Sequence, residues 1–162
     1  MIRIAKPAGA RGVTLIELVC VTAIIGILAG VAIPVAGTLV KRQKELELRR
    51  ALRDMRTAID RFQQDVQRYP GIRTNHLNTV NEEGYPETLE MLVEGVDIGD
   101  SAGTTLKYLR RIPRDPITGK NEWATRSSRD RPDSLFSDGV NVFDVRSTSE
   151  AVALDGTRYR EW

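Results

Sequence analysis

Cysteine and histidine are almost absent from this chain of 162 residues, which contains one of each, Cys20 and His76. A disulfide within the chain is therefore excluded, and no His/Cys spacing typical of a metal site is present. The sequence also lacks a glycine-rich phosphate loop and a convergent set of catalytic residue types. We predict a protein that is not an enzyme, in which Cys20 is a small apolar packing residue and His76 a loop residue.

Charge is absent from residues 18–40, which form the longest uncharged run of the sequence. As a helix this run would extend about 35 Å, slightly more than the hydrocarbon core of a bilayer, about 30 Å. Residues 1–12 before it carry basic residues and no acid, and Glu17 stands one residue before the run begins. We predict a membrane-spanning segment, beside which an acidic residue requires a partner.

Two interpretations of this N-terminal region are open. In the first, the region is an uncleaved anchor, because the apolar run is longer than that of an ordinary secretory signal. In the second, the chain is cut between Gly12 and Val13, which leaves the whole apolar helix on the mature protein. Basic clusters flank the run, in residues 1–12 and 41–44, so charge alone does not decide the orientation across the membrane.

The junction before the apolar run favours the second interpretation. It reads Gly12-Val13-Thr14-Leu15-Ile16-Glu17-Leu18-Val19. This segment resembles the leader junction of type IV pilins and pseudopilins, which has a glycine before the cut, an apolar first mature residue, a glutamate four residues later and a proline further along the helix. Gly12, Val13, Glu17 and Pro34 occupy these positions. The chain departs from the family pattern at Val13, where phenylalanine is usual.

The resemblance implies processing followed by assembly. A prepilin peptidase of the inner membrane is expected to cut after Gly12 and to methylate the new amine of Val13. Glu17 of one subunit is expected to pair with that amine on its neighbour, because a buried carboxylate without a partner is strongly destabilising. The simpler alternative is that Glu17 reaches the lipid headgroups. Since the leader must face the cytoplasmic peptidase, the head is expected in the periplasm.

Small residues interrupt the apolar run. Gly26 and Gly30 lie four residues apart, on one helix face that a second helix can approach closely. Pro34 removes one backbone hydrogen bond and is expected to bend or loosen the helix. Both residue types are also ordinary in membrane helices. The resemblance favours a role for Gly26 and Pro34 in packing subunits within a filament.

Residues 41–69 predict an amphipathic continuation of the same helix. Apolar residues recur at steps of three and four, which places them along one face. They are Leu48, Leu52, Met55, Ile59, Phe62, Val66 and Tyr69. We interpret this stripe as the face on which the head packs, with a coiled-coil seam as the alternative. Ion pairs four residues apart, Glu45–Arg49 and Arg56–Asp60, are predicted on the exposed side.

The remaining sequence predicts a small α+β head, in which a long N-terminal helix packs against a C-terminal antiparallel sheet, as in the pilin fold. Tyr69-Pro70-Gly71 is predicted to end the long helix. A second helix is predicted over residues 86–96, and strands over residues 121–125 and 140–145. The predicted organisation is a leader at 1–12, a transmembrane and assembly half at 13–40, an amphipathic half at 41–69 and the head at 70–162.

A second resemblance lies within the head. A stretch of the major pseudopilins of type II secretion systems is matched at Tyr108, Leu109, Ile112, Pro113, Asp115 and Pro116. Those proteins usually continue with Trp-Gly-Asn-Pro-Tyr, whereas this chain continues differently over residues 117–121. The likeness is therefore to the wider pseudopilin group and does not specify the secretion system.

The C-terminal segment is the candidate metal site. Major pseudopilins bind calcium in a comparable loop before a C-terminal tryptophan, using two carboxylates and backbone carbonyls. Calcium prefers six to eight oxygen ligands. The resemblance therefore implies calcium ligands at Glu150 and Asp155, with Gly156 in the turn. As a large aromatic residue, Trp162 is predicted to bury its ring against the sheet. The alternative is an ordinary surface turn.

Net charge narrows the classes of partner. The formal charge of +2 falls to −1 without the three basic residues of the leader, which removes most of the case for nucleic-acid binding. The predicted function is that of a pseudopilin that joins copies of itself, other pseudopilins and an inner-membrane assembly platform in a periplasmic pseudopilus for type II protein secretion. The alternatives are a major or minor type IV pilus subunit, and an anchored periplasmic binding or sensor domain that does not assemble.

Overall fold

The computed structural model describes residues 12–75, 82–131, 134 and 136–162, with the side chains of residues 31–35 and 73–75 outside that description. The predicted leader up to residue 11 and the loop residue His76 also lie outside it. The elements are α1 Leu15–Arg68, α2 Pro70–Asn75, α3 Glu90–Glu94, β1 Val96–Asp97, β2 Thr105–Leu106, β3 Trp123–Arg126, β4 Asp144–Ser147 and a final 3-10 helix Tyr159–Glu161. The long helix and the antiparallel sheets confirm the predicted α+β class.

Two compact units divide the chain, Met1–Val40 and Lys41–Trp162, and α1 contributes to both. Within the part of the chain that is described, no helix combines the length and the apolar character needed to cross a membrane.

The apolar stripe of α1 forms the centre of the core in the second unit. Its buried members are Leu48, Leu52, Met55, Ile59, Phe62 and Val66. The head residues that join them in one cluster include Leu92, Val96, Val142, Val145 and Tyr159. Burial of each large apolar side chain contributes about 1.5–3 kcal/mol. The interpretation of the stripe as the packing face for the head is confirmed, although Tyr69 at its end is only partly buried.

The end of α1 differs from the prediction in one respect. α1 stops at Arg68, but Pro70 then begins α2, because a proline without an N–H is well suited to the first position of a helix. Gly71 allows α2 to approach the chain after β1. A Cβ atom at this position would lie 2.2 Å from the carbonyl oxygen of Ile98. Tyr69-Pro70-Gly71 therefore ends one helix and starts another.

Both sheets are two-stranded and antiparallel, with Val96 opposite Leu106 in the first and Trp123 opposite Ser147 in the second. The helix predicted over residues 86–96 is wrong at both ends, since α3 covers only Glu90–Glu94. Gly95 ends α3 with a φ of +88°, a conformation that favours glycine, and Val96 then enters β1. No side chain caps the start of α3 at Leu89.

The strand predicted over residues 140–145 begins only at Asp144. Asn141 is buried, and its Oδ1 accepts the N–H of Ser128 at 2.9 Å while its Nδ2 donates to Oγ of Ser128 at 2.9 Å. The N–H of Val142 donates to the carbonyl of Pro86 at 2.7 Å. These bonds hold Asn141 and Val142 against the loops that contain Ser128 and Pro86. Pairing with β3 therefore starts later than predicted.

Candidate assembly site and C-terminal loop

The candidate assembly site begins at the first turn of α1, where Gly12 and Val13 precede the helix. Thr14 caps it: its carbonyl accepts the N–H of Leu18 at 3.1 Å, and its Oγ1 accepts the N–H of Glu17 at 3.3 Å. Thr14 and Glu17 have the spacing of a capping box, a signal that the sequence analysis missed. Glu17 lies in the first turn, where a negative charge is favoured by the helix dipole.

The helix that follows exposes apolar side chains on all sides. Val13 is 70 % exposed, Leu15 84 % and Ile27 70 %. The other exposed members are Ile16, Leu18, Val19, Val21, Ile24, Ile25 and Leu28. A continuous apolar surface of this kind marks a contact with protein or lipid.

The small residues predicted to pack helices lie within this surface. A Cβ atom built at Gly26 or Gly30 would meet nothing within 4 Å, so contacts within the described chain do not explain these glycines. Pro34 lies within α1, and its side chain is outside the described part. The hydroxyl of Thr22 donates to the carbonyls of Leu18 and Val19 at 3.0 Å, which satisfies it within the helix.

Glu150, the first predicted calcium ligand, lies between two arginines. Its Oε1 is 2.6 Å from Nη1 of Arg160, and its Oε2 is 3.1 Å from Nη1 of Arg158. A bridge between Val152 and Arg158 holds the two arms of the loop together. The carboxylate is therefore compensated by cations of its own loop.

Asp155, the second predicted ligand, is also engaged. Its Oδ1 accepts the hydroxyl of Thr157 at 2.6 Å and the N–H of Thr157 at 3.0 Å. Its Oδ2 is 3.3 Å from Nη2 of Arg49. The hydrogen bonds from Thr157, with a smaller contribution from Arg49, lower the pKa of Asp155.

These contacts test whether calcium fits the loop. Each predicted ligand faces a guanidinium group, and calcium would have to displace those arginines. The described residues contain no group of three or more His, Cys, Asp or Glu side chains placed to hold a metal ion. As arranged, Glu150 and Asp155 do not fit a calcium ion, and calcium binding stays a prediction from the resemblance.

Glu45 was predicted on the exposed side of α1, but it binds the C-terminal segment of the chain. It is only 7 % exposed, and its Oε1 accepts the N–H of Leu154 at 2.8 Å and the hydroxyl of Tyr159 at 2.9 Å. Arg49, its predicted partner, pairs with Asp155. Glu45 stands three residues before Leu48, in step with the apolar stripe, and this spacing was the signal for its burial.

Arg56 also differs from its predicted role. Its Nε is 2.6 Å from Oδ1 of Asp144, and its Nη2 donates to the carbonyls of Val145 at 3.1 Å and Trp162 at 2.9 Å. Arg56 therefore joins α1 to β4 and to the last residue. The ring of Trp162 packs edge-on against Tyr159, with the guanidinium of Arg49 4.3 Å from its centroid.

The segment that resembles the major pseudopilins is organised by Asp115, which is fully buried. Its Oδ2 accepts the hydroxyl of Ser147 at 2.6 Å, and its Oδ1 accepts the N–H of Ile117 at 2.7 Å. Its backbone N–H donates to Lys120, which closes the turn. The carboxylate thus fixes the turn to β4, and its role is structural.

The start of the chain matches a known family model. Residues 8–33 match the family model of the prokaryotic N-terminal methylation motif. The matched region contains the predicted cleavage site, Glu17 and the two glycines, and it supports a type IV pilin-like protein that is processed by a prepilin peptidase and assembles into oligomers. No curated protein and no solved structure matches the chain.

Proposed function

We propose that this chain is a pseudopilin that assembles through the first half of α1 into a periplasmic pseudopilus for type II protein secretion. The observation that carries the proposal is the match to the methylation motif over a helix start with exposed apolar side chains. Together with the uncharged run over residues 18–40, these side chains support a subunit held in the inner membrane before assembly, with its head in the periplasm.

The assembly step uses Glu17 and the new amino terminus. After cleavage at Gly12, Val13 carries a methylated, positively charged amine, and Glu17 provides the matching carboxylate on the next subunit. In an apolar surrounding the paired charges are far less costly than separated ones, so this pair selects one axial register between neighbours. Gly26 and Gly30 would permit close helix packing along the same surface.

The choice of secretion over a pilus rests on a different part of the chain. The methylation motif is expected in both pilus subunits and pseudopilins, whereas the Tyr108–Pro116 segment resembles the major pseudopilins. The buried Asp115 turn gives that segment a defined structural role. A pilus subunit is the second candidate, and it depends on the N-terminal match alone.

Mass spectrometry of the protein purified from membranes tests the processing step. We expect the mature chain to begin with N-methylated Val13. A chain that still begins with Met1 would instead support the anchored domain that does not assemble.

Filament yield tests the role of Glu17. Glu17→Ala should leave membrane association intact and reduce filaments sheared from cells, whereas Glu47→Ala, a change at an exposed glutamate in the second unit, should not. Unchanged filaments in Glu17→Ala would refute the pairing. In a deletion strain, retained cargo supports secretion, and loss of surface pili with normal secretion supports the pilus.

A further inference from the structure

Apolar side chains are exposed on the C-terminal loop. Val152 is 50 % exposed and Leu154 is 46 % exposed, whereas Ala153 between them is buried. This alternation places Val152 and Leu154 on the face opposite to that of Ala153. A turn closes the loop, since the N–H of Gly156 donates to the carbonyl of Ala153 at 3.2 Å. The loop therefore presents two large apolar side chains to its surroundings.

This loop lies against the turns of α1 with which the second unit begins. The N–H of Leu154 donates to Oε1 of Glu45 at 2.8 Å, and Asp155 pairs with Arg49 at 3.3 Å. Leu46, the residue after Glu45, is also exposed. The second unit starts at residue 41, four residues before Glu45. The carboxylate of Glu45 therefore holds Leu154 beside the first turns of that unit.

Basic residues occupy the same end of the second unit. Lys41 and Arg42 precede Glu45 by four and three residues, so they lie on the helix face that carries Glu45, one turn earlier. Arg42 also lies four residues before Leu46. Within the described residues neither Lys41 nor Arg42 forms an ion pair. We call the following residues the basic–apolar patch: Lys41, Arg42, Leu46, Val152 and Leu154.

The carboxylates beside this patch are engaged elsewhere. Glu45 is buried and accepts two hydrogen bonds. Asp155 and Glu150 are paired with arginines. Glu47 is exposed, but it stands two residues after Glu45 and so lies on another face of α1. The two cations of the patch therefore carry charge that its own neighbours do not neutralise.

We propose that the basic–apolar patch rests on an anionic phospholipid surface in the unassembled subunit, with Val152 and Leu154 inserted at the boundary between headgroups and acyl chains. Cations beside exposed apolar side chains suit such a surface, because interfacial segments combine electrostatic attraction to anionic lipid with burial of apolar area. The long stems of Lys41 and Arg42 allow their charges to reach the phosphates.

The place of the patch in the chain favours lipid over a protein partner. Lys41 follows directly after the uncharged run over residues 18–40, so a bilayer that holds this run lies next to the patch. The inference rests on the proposed function, since it requires that α1 holds the subunit in the membrane. The contact orients the head before assembly and is broken when the subunit leaves the bilayer.

Quenching of a fluorescent dye by lipid tests the contact. In a Cys20→Ser background, the full-length chain carries Val152→Cys or, as the matched control, Val140→Cys, and the new cysteine is labelled with a nitrobenzoxadiazole dye. Val140 is also an exposed valine of the second unit. In vesicles of phosphatidylcholine and phosphatidylglycerol that contain spin-labelled acyl chains, we expect quenching at position 152 and little at position 140. Equal quenching at the two positions would overturn the proposal.

Charge and apolar variants then test what binds the lipid. Arg42→Gln in the Val152→Cys chain should lower the ratio of docked to undocked heads about fivefold, as expected for one cation at an anionic surface. Leu154→Ser should lower it by a similar factor, about fivefold, because a half-exposed leucine no longer inserts. Vesicles of phosphatidylcholine alone should also give less quenching. Arg110→Gln, at another exposed arginine, is the control, and an effect equal to that of Arg42→Gln would refute the role of charge.

Flotation of the vesicles separates failure of this contact from failure of the proposed function. A chain that floats with the vesicles but is not quenched at position 152 would refute the lipid contact and leave the proposed function standing. A chain that does not float would refute the membrane attachment on which both depend. A dye signal that rises with protein density, without quenching by lipid, would assign the patch to a second copy and overturn the choice of lipid.

Discussion

The hydroxyl of Tyr159 donates a hydrogen bond of 2.9 Å to Oε1 of Glu45, a residue 114 positions earlier in the chain. The same oxygen accepts the N–H of Leu154 at 2.8 Å. Both side chains are almost completely buried. One carboxylate of α1 therefore fixes the C-terminal loop and the final 3-10 helix to the core of the second unit.

Removal of this anchor should destabilise the head. Glu45→Ala leaves the buried hydroxyl of Tyr159 and the partly exposed N–H of Leu154 without an acceptor. The buried hydroxyl dominates the cost, so we expect a loss of about 1–3 kcal/mol in the free energy of unfolding. Urea denaturation of the full-length chain in detergent measures it. Glu45→Gln keeps an oxygen acceptor and should lose less than about 1 kcal/mol. Equal losses in the two variants would contradict the acceptor role.

Stability at alkaline pH should depend on Tyr159. Burial, with the hydrogen bond to Glu45, raises the pKa of Tyr159 to about 12 from 10.0. The folded state therefore keeps a proton that the unfolded state releases. Stability from this residue is present below pH 10.0 and falls as the pH rises towards about 12.

Tyr159→Phe isolates this effect from the titration of other residues. The difference in unfolding free energy between the parent chain and Tyr159→Phe should be constant up to about pH 9 and should shrink above it. Denaturant titrations over that pH range measure the difference. A difference that stays constant up to pH 12 would show that Tyr159 titrates normally.

The core of the head could be predicted from sequence because one physical cause dominates it. The stripe from Leu48 to Val66 repeats at helical spacing, and burial of apolar area decides which face turns inward. Gly12, Val13 and Glu17 were predicted for a different reason, because their spacing resembles a processing signal, and they lie within residues 8–33, which match the methylation motif. Their roles stay predictions.

What could not be predicted depends on contacts between distant residues. Glu45 has the spacing of the apolar stripe, but because it is charged it was predicted to face solvent. The residues that hydrogen-bond to it lie at the other end of the chain and cannot be recognised from local spacing. Asn141 shifts the start of β4 in the same way, by bonding Ser128 across a loop. Periodicity carries no information about such pairs.

Substitution of Gly71 should be unusually damaging for a position in a short helix. A Cβ atom there would lie 2.2 Å from the carbonyl oxygen of Ile98, a backbone atom that cannot rotate away. Gly71→Ala should therefore cost about 1–3 kcal/mol in unfolding free energy, as overpacking does. Gly103→Ala is the control, since its Cβ would meet nothing within 4 Å and only the φ of +66° opposes it. A smaller loss in Gly71→Ala than in Gly103→Ala would contradict the close approach.

Calcium should have little influence on the stability of the C-terminal loop. Arginines already compensate Glu150 and Asp155, so the full-length chain should melt at the same temperature with calcium and with a chelator. Glu150→Gln frees Arg158 and Arg160 and should lower the melting temperature by about 2–4 °C in both conditions, as expected for exposed ion pairs. Glu122→Gln, at another exposed pair, controls for loss of charge. A higher melting temperature in calcium that is lost in Glu150→Gln would show that the metal displaces the arginines.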